Sequence, residues 1–197
     1  MSRIVALPIE EWDPELRAYH KDRPTPLQLK QTGIMAQAPH MARANTAFMK
    51  IAMQGRKLSR RLLELVRLRI AFHNQCRSCM ALRYQSAIDE GLTEDAVCSL
   101  EKPMDASNLS DREKAAVEYA DLFAINHFAI TDEAFESLRK HFTESEIVEL
   151  AMFIAYFVGM GRFMASLNVI EELPEDYRDK SRKMAPWESS ESVLVDA

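Results

Sequence analysis

Glycine is scarce in this chain, five residues in 197, which leaves little turn chemistry for an all-β fold. Basic charge is not gathered anywhere: 25 Lys and Arg stand against 30 Asp and Glu, for a formal net charge of −5 and a pI near 5.6. A protein that lives on nucleic acid needs a basic face to neutralise phosphate, so that class is set aside. No run is read as approaching the length of a membrane span. The opening MSRIVALPIEEWDPELR breaks its apolar stretch at Pro8 and turns acidic at once, so it lacks the long apolar region of a signal peptide. Three cysteines without an export signal indicate a reducing compartment, where thiols stay free unless they do redox or metal chemistry. The expectation is a cytoplasmic protein with no nucleic-acid and no membrane partner.

What the chain does have is the composition of a globular protein, 47% hydrophobic and 28% charged, and helix start and stop signals along most of its length. Asp13 with Pro14 opens a short helix towards Tyr19, and after KDRPTP a helical stretch runs to about Gln37. Pro39 starts another, stopped by Gly55; Ser59 caps the next, in which Leu62, Leu63, Val66, Ile70 and His73 share a face. Residues 76–90 read as one helix closed by Gly91, and Thr93 begins a short one to Leu100. The segment 101–110 is the clearest internal linker. Beyond it, Ser110 with Glu113 and Thr143 with Glu146 make capping boxes, Thr131 starts a helix between them, and the apolar helix from Glu144 to about Leu167 must be a central element. The fold class is all-α: two helical halves in one domain, spanning 31–170, with an N-terminal extension over 1–30 and a peripheral tail over 171–197.

The chemistry concentrates in ELVRLRIAFHNQCRSCMALR, where Cys76 and Cys79 follow an apolar helical run. A structural zinc site needs four ligands, and Cys98 has no partner at ligand spacing, so metal is disfavoured. Two buried cysteines can also simply pack as small hydrophobes. Against that, a place in the first turn of a helix favours a thiolate, and the three-residue spacing puts both sulfurs close enough to bridge. Glu64, twelve positions ahead of Cys76, is an acid inside an apolar run. It is either a partly buried proton acceptor near the thiols or the partner of Arg67 or Arg69 in an ion pair.

The stretch RRLLELVRLRIAFHNQCRSCMALRYQSAIDEGLTEDAV resembles the carboxymuconolactone decarboxylase-like proteins, and within them the alkyl hydroperoxidase D-like branch. A second region, LSDREKAAVEYADLFAINHFAITDEAFESLRKHFTESEIVELAMFIAYFVGMGRFMASL, is similar to the C-terminal half of longer peroxidase-related members. The resemblance implies an all-helical, cofactor-free thiol peroxidase without metal, assembled as a homo-oligomer that is commonly trimer-based. Its substrate would be hydrogen peroxide or an organic hydroperoxide, and its reductant a dithiol protein or small molecule. By position, Cys79 would be the peroxidatic thiolate, Cys76 the resolving thiol and Glu64 the base acting through a relay.

The family pattern has a histidine four residues after the second cysteine, where this chain has Arg83, and a relay histidine sometimes found just before that cysteine is Ser78 here. Arginine cannot accept a proton at usable pH, but one helical turn from Cys79 its fixed charge could stabilise a thiolate. The alternative is a solvent-facing or acid-paired Arg83, and His73 is a further possible imidazole. Two other functions stay open: a decarboxylase or lactone-handling enzyme, and a family member with an altered relay and a binding role.

Overall fold

Side-chain caps set the starts of several helices. In the computed structural model, which describes residues 1–19 and 24–196, Asp13 accepts from the amide of Glu15 at the start of α1 (Pro14–Tyr19). Lys21 to Arg23, in the proline-bearing connection, lie outside the described residues. A reciprocal box of Thr25 and Gln28 opens α2 (Pro26–Met35). Then come α3 (Pro39–Gly55) and α4 (Arg60–His73), the latter capped by Ser59. The boxes expected at Ser110 and Thr143 are both formed.

The run expected as one helix over 76–90 is not continuous. It divides into α5 (Arg77–Ala81), a three-residue strand β1 (Leu82–Tyr84) and α6 (Gln85–Asp89). The strand exists because its partner comes from the far end of the chain: β2 (Val193–Val195) runs parallel to it, with Leu82 opposite Val193 and Tyr84 opposite Val195. Pairing that no local pattern shows overrides the helical preference of the flanking residues. Gly91, at φ 90°, closes the turn after α6, a backbone conformation glycine adopts without steric cost.

The remaining helices are α7 (Glu94–Cys98), α8 (Asp111–Ile125), α9 (Asp132–Arg139), α10 (Glu144–Leu167) and α11 (Glu175–Arg178). The fold is all-α, with β1 and β2 as the strands among the described residues. Helix α4 is the hub. Leu65, Val66 and Leu68 are all fully buried, packed between α8 and α10. One core cluster joins α4, α6 and α7 to α8, α9 and α10, so the segment 101–110 connects two halves that share a core. A second cluster gathers Cys76, Met80, Ala81 and Leu82 with Met164, Leu167 and the tail residues Tyr177, Met184 and Val195.

Two expectations change here. By length and composition α10 is apolar enough to cross a membrane, although no run was expected to reach that length. In the fold one face lies against α4, α8 and α9, while Val148, Met152 and Phe163 stay exposed. The segment after residue 170 is not peripheral: Tyr177, Met184, Ala185 and Val195 are buried, and the Trp187 ring packs tilted against Phe72, with centroids 4.9 Å apart.

Candidate functional site

Helix α4 ends at His73 with Asn74 as its C-cap, and Gln75 takes a left-handed conformation, φ 48°, which reverses the chain and brings Cys76 to the start of α5. Gln75 holds the reversal on both sides. Its Nε2 donates to the carbonyls of Phe72 at 2.7 Å and Met184 at 3.0 Å, and its Oε1 accepts from the amide of Met184 at 3.1 Å.

Cys76 and Cys79 are joined by a disulfide, with Cα atoms 5.2 Å apart, as their spacing allowed. Their surroundings differ. Cys76 is 0% exposed, whereas Cys79 is partly exposed and opens on a cavity of about 950 Å³. Glu64, Arg67, Tyr84, Tyr156 and Met160 line that same cavity. Glu64 therefore shares the cavity with Cys79, and it also forms the ion pair foreseen with Arg67. The guanidinium grips the carboxylate through Nε to Oε2 at 2.6 Å and Nη2 to Oε1 at 2.7 Å.

The same guanidinium fastens the cysteine segment. Arg67 Nη1 donates to the carbonyl of Cys79 at 2.6 Å and Nη2 to that of Leu82 at 2.9 Å. Burial works against the charge of Arg67, but the Glu64 carboxylate more than offsets it, and its pKa is raised. Tyr84, with Arg67 5.2 Å from its ring centre, has its phenol pKa raised by burial although Arg67 works the other way. Burial also pushes the Tyr156 phenol up to about 12, and its hydroxyl donates to Asn45 Oδ1 at 3.0 Å. Both phenols stay protonated at neutral pH; the Tyr156 O–H is taken up by Asn45, and Tyr84 lines the cavity.

Arg83 is elsewhere. The helix stops at Ala81, so the four-residue relation to Cys79 is not a helical turn, and Arg83 sits on β1. It is 1% exposed. Nε and Nη2 reach Glu94 at 2.9 and 3.2 Å; Nη1 donates to the carbonyls of Met80 and Leu82, and Nη2 to that of Pro186. The acid-paired alternative is the observed one, and Arg83 is not among the residues lining the Cys79 cavity. His73 also lies off that cavity. Its Nε2 is 2.6 Å from Asp121 Oδ1, which Arg69 Nε also reaches at 2.7 Å. Burial of Asp121 would raise its pKa, but the His73 and Arg69 contacts more than offset this and lower it. This cluster ties α4 to α8. Ser78 is buried with Oγ 3.6 Å from Cys76 Sγ.

Sequence reasoning saw Arg67 only as a possible partner of Glu64, and it missed Tyr84, Tyr156 and Asn45. The signal for Arg67 was its i+3 place after an acid in an apolar run; for Tyr156 it was a hydroxyl inside MFIAYFVGM. Among the described residues, no group of three or more His, Cys, Asp and Glu comes together to hold a metal ion.

A model of the carboxymuconolactone decarboxylase family matches residues 39–122, the segment from α3 through the cysteine pair to α8. Over that segment, somewhat less than half of its length, the chain is similar to the carboxymuconolactone decarboxylase family. Its fold is alkylhydroperoxidase D-like. An uncharacterized peroxidase-related protein from Ralstonia eutropha JMP134, described as an alkylhydroperoxidase AhpD core, superposes with a TM-score of 0.73 at 19% identity, over 90% of this chain and 94% of the other. An uncharacterized peroxidase-related protein from Silicibacter sp. TM1040 gives a TM-score of 0.66 at 19% identity, over 91% and 97%. In sequence, an uncharacterized protein of Mycobacterium tuberculosis is 44% identical over 90 residues, which are 44% of this chain and 31% of that family relative. The uncharacterized protein YdfG of Bacillus subtilis is 28% identical over 112 residues, 56% of this chain and 76% of its own length. The chain thus spans under a third of the mycobacterial relative it matches.

Proposed function

We propose that the chain is a thiol-dependent peroxidase that reduces hydroperoxides through Cys79 and Cys76. The observation that carries this reading is the asymmetry of the pair: a cavity-facing Cys79 bonded to a fully buried Cys76. The likeness of residues 39–122 to the carboxymuconolactone decarboxylase family and the peroxidase-related fold neighbours support it.

In the reduced protein, Cys79 thiolate attacks the terminal oxygen of a hydroperoxide. The O–O bond breaks, the alkoxide leaves with a proton as alcohol, and Cys79 becomes a sulfenic acid. Cys76 sulfur then attacks Cys79 sulfur, water departs, and the disulfide forms. A dithiol of the reductant restores both thiols by exchange and is itself oxidised to a disulfide. Glu64 is the proton acceptor in this scheme, and the fixed positive charge near Cys79 comes from Arg67 rather than Arg83. Tyr84 is the donor available to the departing alkoxide, since the Tyr156 hydroxyl already donates to Asn45. A cavity of about 950 Å³ walled by Met49, Leu63, Phe157 and Met160 favours an organic hydroperoxide over hydrogen peroxide. Exposed Met41, Phe48 and Ile51 on α3 and Val148 and Met152 on α10 support a homo-oligomer.

The test is consumption of cumene hydroperoxide by the dithiol-reduced protein. Cys79→Ser should abolish it. Cys76→Ser should leave a single sulfenic acid that dimedone traps and that cannot close to the disulfide. Reduced wild-type protein inert to both hydrogen and organic peroxides would move the function to the non-redox chemistry of the family.

A further inference from the structure

Cys76 has a second cavity near it, of about 380 Å³, on the side of the molecule built from the tail. Its wall brings together Arg77, Lys180, Arg182 and Lys183 with the hydroxyl residues Ser78 and Ser181, and no Asp or Glu lines it. Of the four cations only Arg182 has a carboxylate at ion-pair distance among the described residues, Glu188 at 2.5 Å. Other acids lie near without lining the hollow: Asp179, whose Oδ1 accepts from the amide of Ser181 at 2.8 Å, Glu171, which acts on Lys180, and Asp176, which acts on Arg182.

Arg77 is 8% exposed. Its Nη2 donates to the Arg182 carbonyl, and its Nη1 is buried with no hydrogen-bond partner. An unpartnered guanidinium nitrogen of this kind is costly unless something accepts from it. The cations also burden one another. Burial and then the charge of Arg182 lower the pKa of Arg77, beyond what Asp179 and Glu188 restore. Burial, then Arg3 and Arg77, lower that of Lys180, beyond what Glu171 restores. An anion seated among them would satisfy Nη1 and relieve the repulsion.

We propose that this cavity is a binding site for the phosphate group of a small phosphate ester. The donors are Arg77 Nη1, the ammonium groups of Lys180 and Lys183, and the hydroxyls of Ser78 and Ser181. Several unpaired cations around one hollow suit a dianion better than a monoanion. Asn168 Oδ1, buried and unpartnered on the same wall, offers one acceptor to a hydroxyl of the ester. The site stands whether or not the cysteine pair turns over peroxide, and its occupant would lie against Ser78, which neighbours Cys76.

The experiment is titration calorimetry of the full chain at fixed ionic strength, with inorganic phosphate, glycerol 3-phosphate and acetate in separate arms. Saturable phosphate binding at one site per chain is expected, with acetate weaker and glycerol 3-phosphate at least as tight as phosphate. Arg77→Gln should weaken phosphate binding by about tenfold or more, the loss of one charge-assisted hydrogen bond. Because Arg77 also holds the Arg182 carbonyl, the exposed pair Lys180→Gln/Lys183→Gln supplies an independent variant, expected to weaken binding without lowering the melting temperature. No saturable phosphate binding by wild type, acetate binding as tight as phosphate, or wild-type affinity in both variants would overturn the proposal. Free phosphate binding more tightly than the ester would overturn its ester part.

Discussion

Arg67 and Arg83 lie on the two sides of the cysteine pair, one on the helix that leads in and one on the strand that leads out. Both are buried, and both donate to carbonyls of the same short segment, including that of Leu82. They differ in the acid each one faces. Glu64 is 4% exposed, so Arg67 neutralises a charge that has no other solvent. The Glu94 side chain is 61% exposed, so water serves it when Arg83 is gone. The entry side is an electrostatic element open to the cavity, and the exit side is a mechanical clamp that binds β1 to α7 and to the tail.

The largest effect should separate these two arginines. Arg67→Ala leaves Glu64 buried without a partner and should cost about 3–5 kcal/mol. Arg83→Ala loses its hydrogen bonds to Met80, Leu82 and Pro186 and should cost about 1–3 kcal/mol. Urea unfolding of both variants measures the difference, and equal losses would erase the comparison. The double variant Glu64→Gln/Arg67→Met removes both charges and should recover much of the Arg67→Ala loss.

A kinetic contrast sharpens the same point. Alkylation of Cys79 in the reduced protein near neutral pH should be slowed severalfold in Glu64→Gln/Arg67→Met and unchanged in Arg83→Met, because thiolate formation answers to nearby positive charge. Superimposable rates in all three proteins would show that the Glu64–Arg67 pair does not govern the thiol.

The smallest effect belongs far from either arginine, where α10 begins. The amide of Thr143 and then Arg112 hold the Glu146 carboxyl down from 4.5 to about 2. A lowered folded-state pKa contributes stability that is full above the unfolded value and is lost as pH falls through the folded one. Glu146→Gln should therefore be less stable than wild type at pH 7, and the gap should close between pH 4.5 and about 2. A gap constant down to pH 2, followed by thermal melts, would refute the assignment.

The all-helical class and most helix starts were legible because caps and prolines act locally: Ser59, Ser110 and Thr143 each bond an amide three residues on. Glu64 and the cysteines were legible for the same reason, since their spacing lies within one helix and one reversal. Arg83 was not. Its role depends on where a helix stops, and α5 stops at Ala81 because residues more than a hundred positions away supply a strand. The burial of the tail was hidden in the same way, since Tyr177 and the short apolar stretches holding Met184 and Val195 sit in a polar, charged segment and acquire meaning only against Met80 and Leu82.

The β1–β2 pairing also orders the folding of the chain in time. Contacts between distant residues carry a loop-closure cost that nearby ones do not, so they form after helices and helix pairs have set the frame. In pulsed hydrogen exchange, the amides of α4 should gain protection before those of residues 82–84 and 193–195; simultaneous protection would contradict this order. Until the strand zips, nothing shields the cysteine segment from the tail side, and Cys76 is open to mispairing with Cys98 of its own or another molecule. Oxidative refolding is therefore the moment at which this protein is most exposed to error, and a dithiol present during refolding should raise the yield of the native pairing.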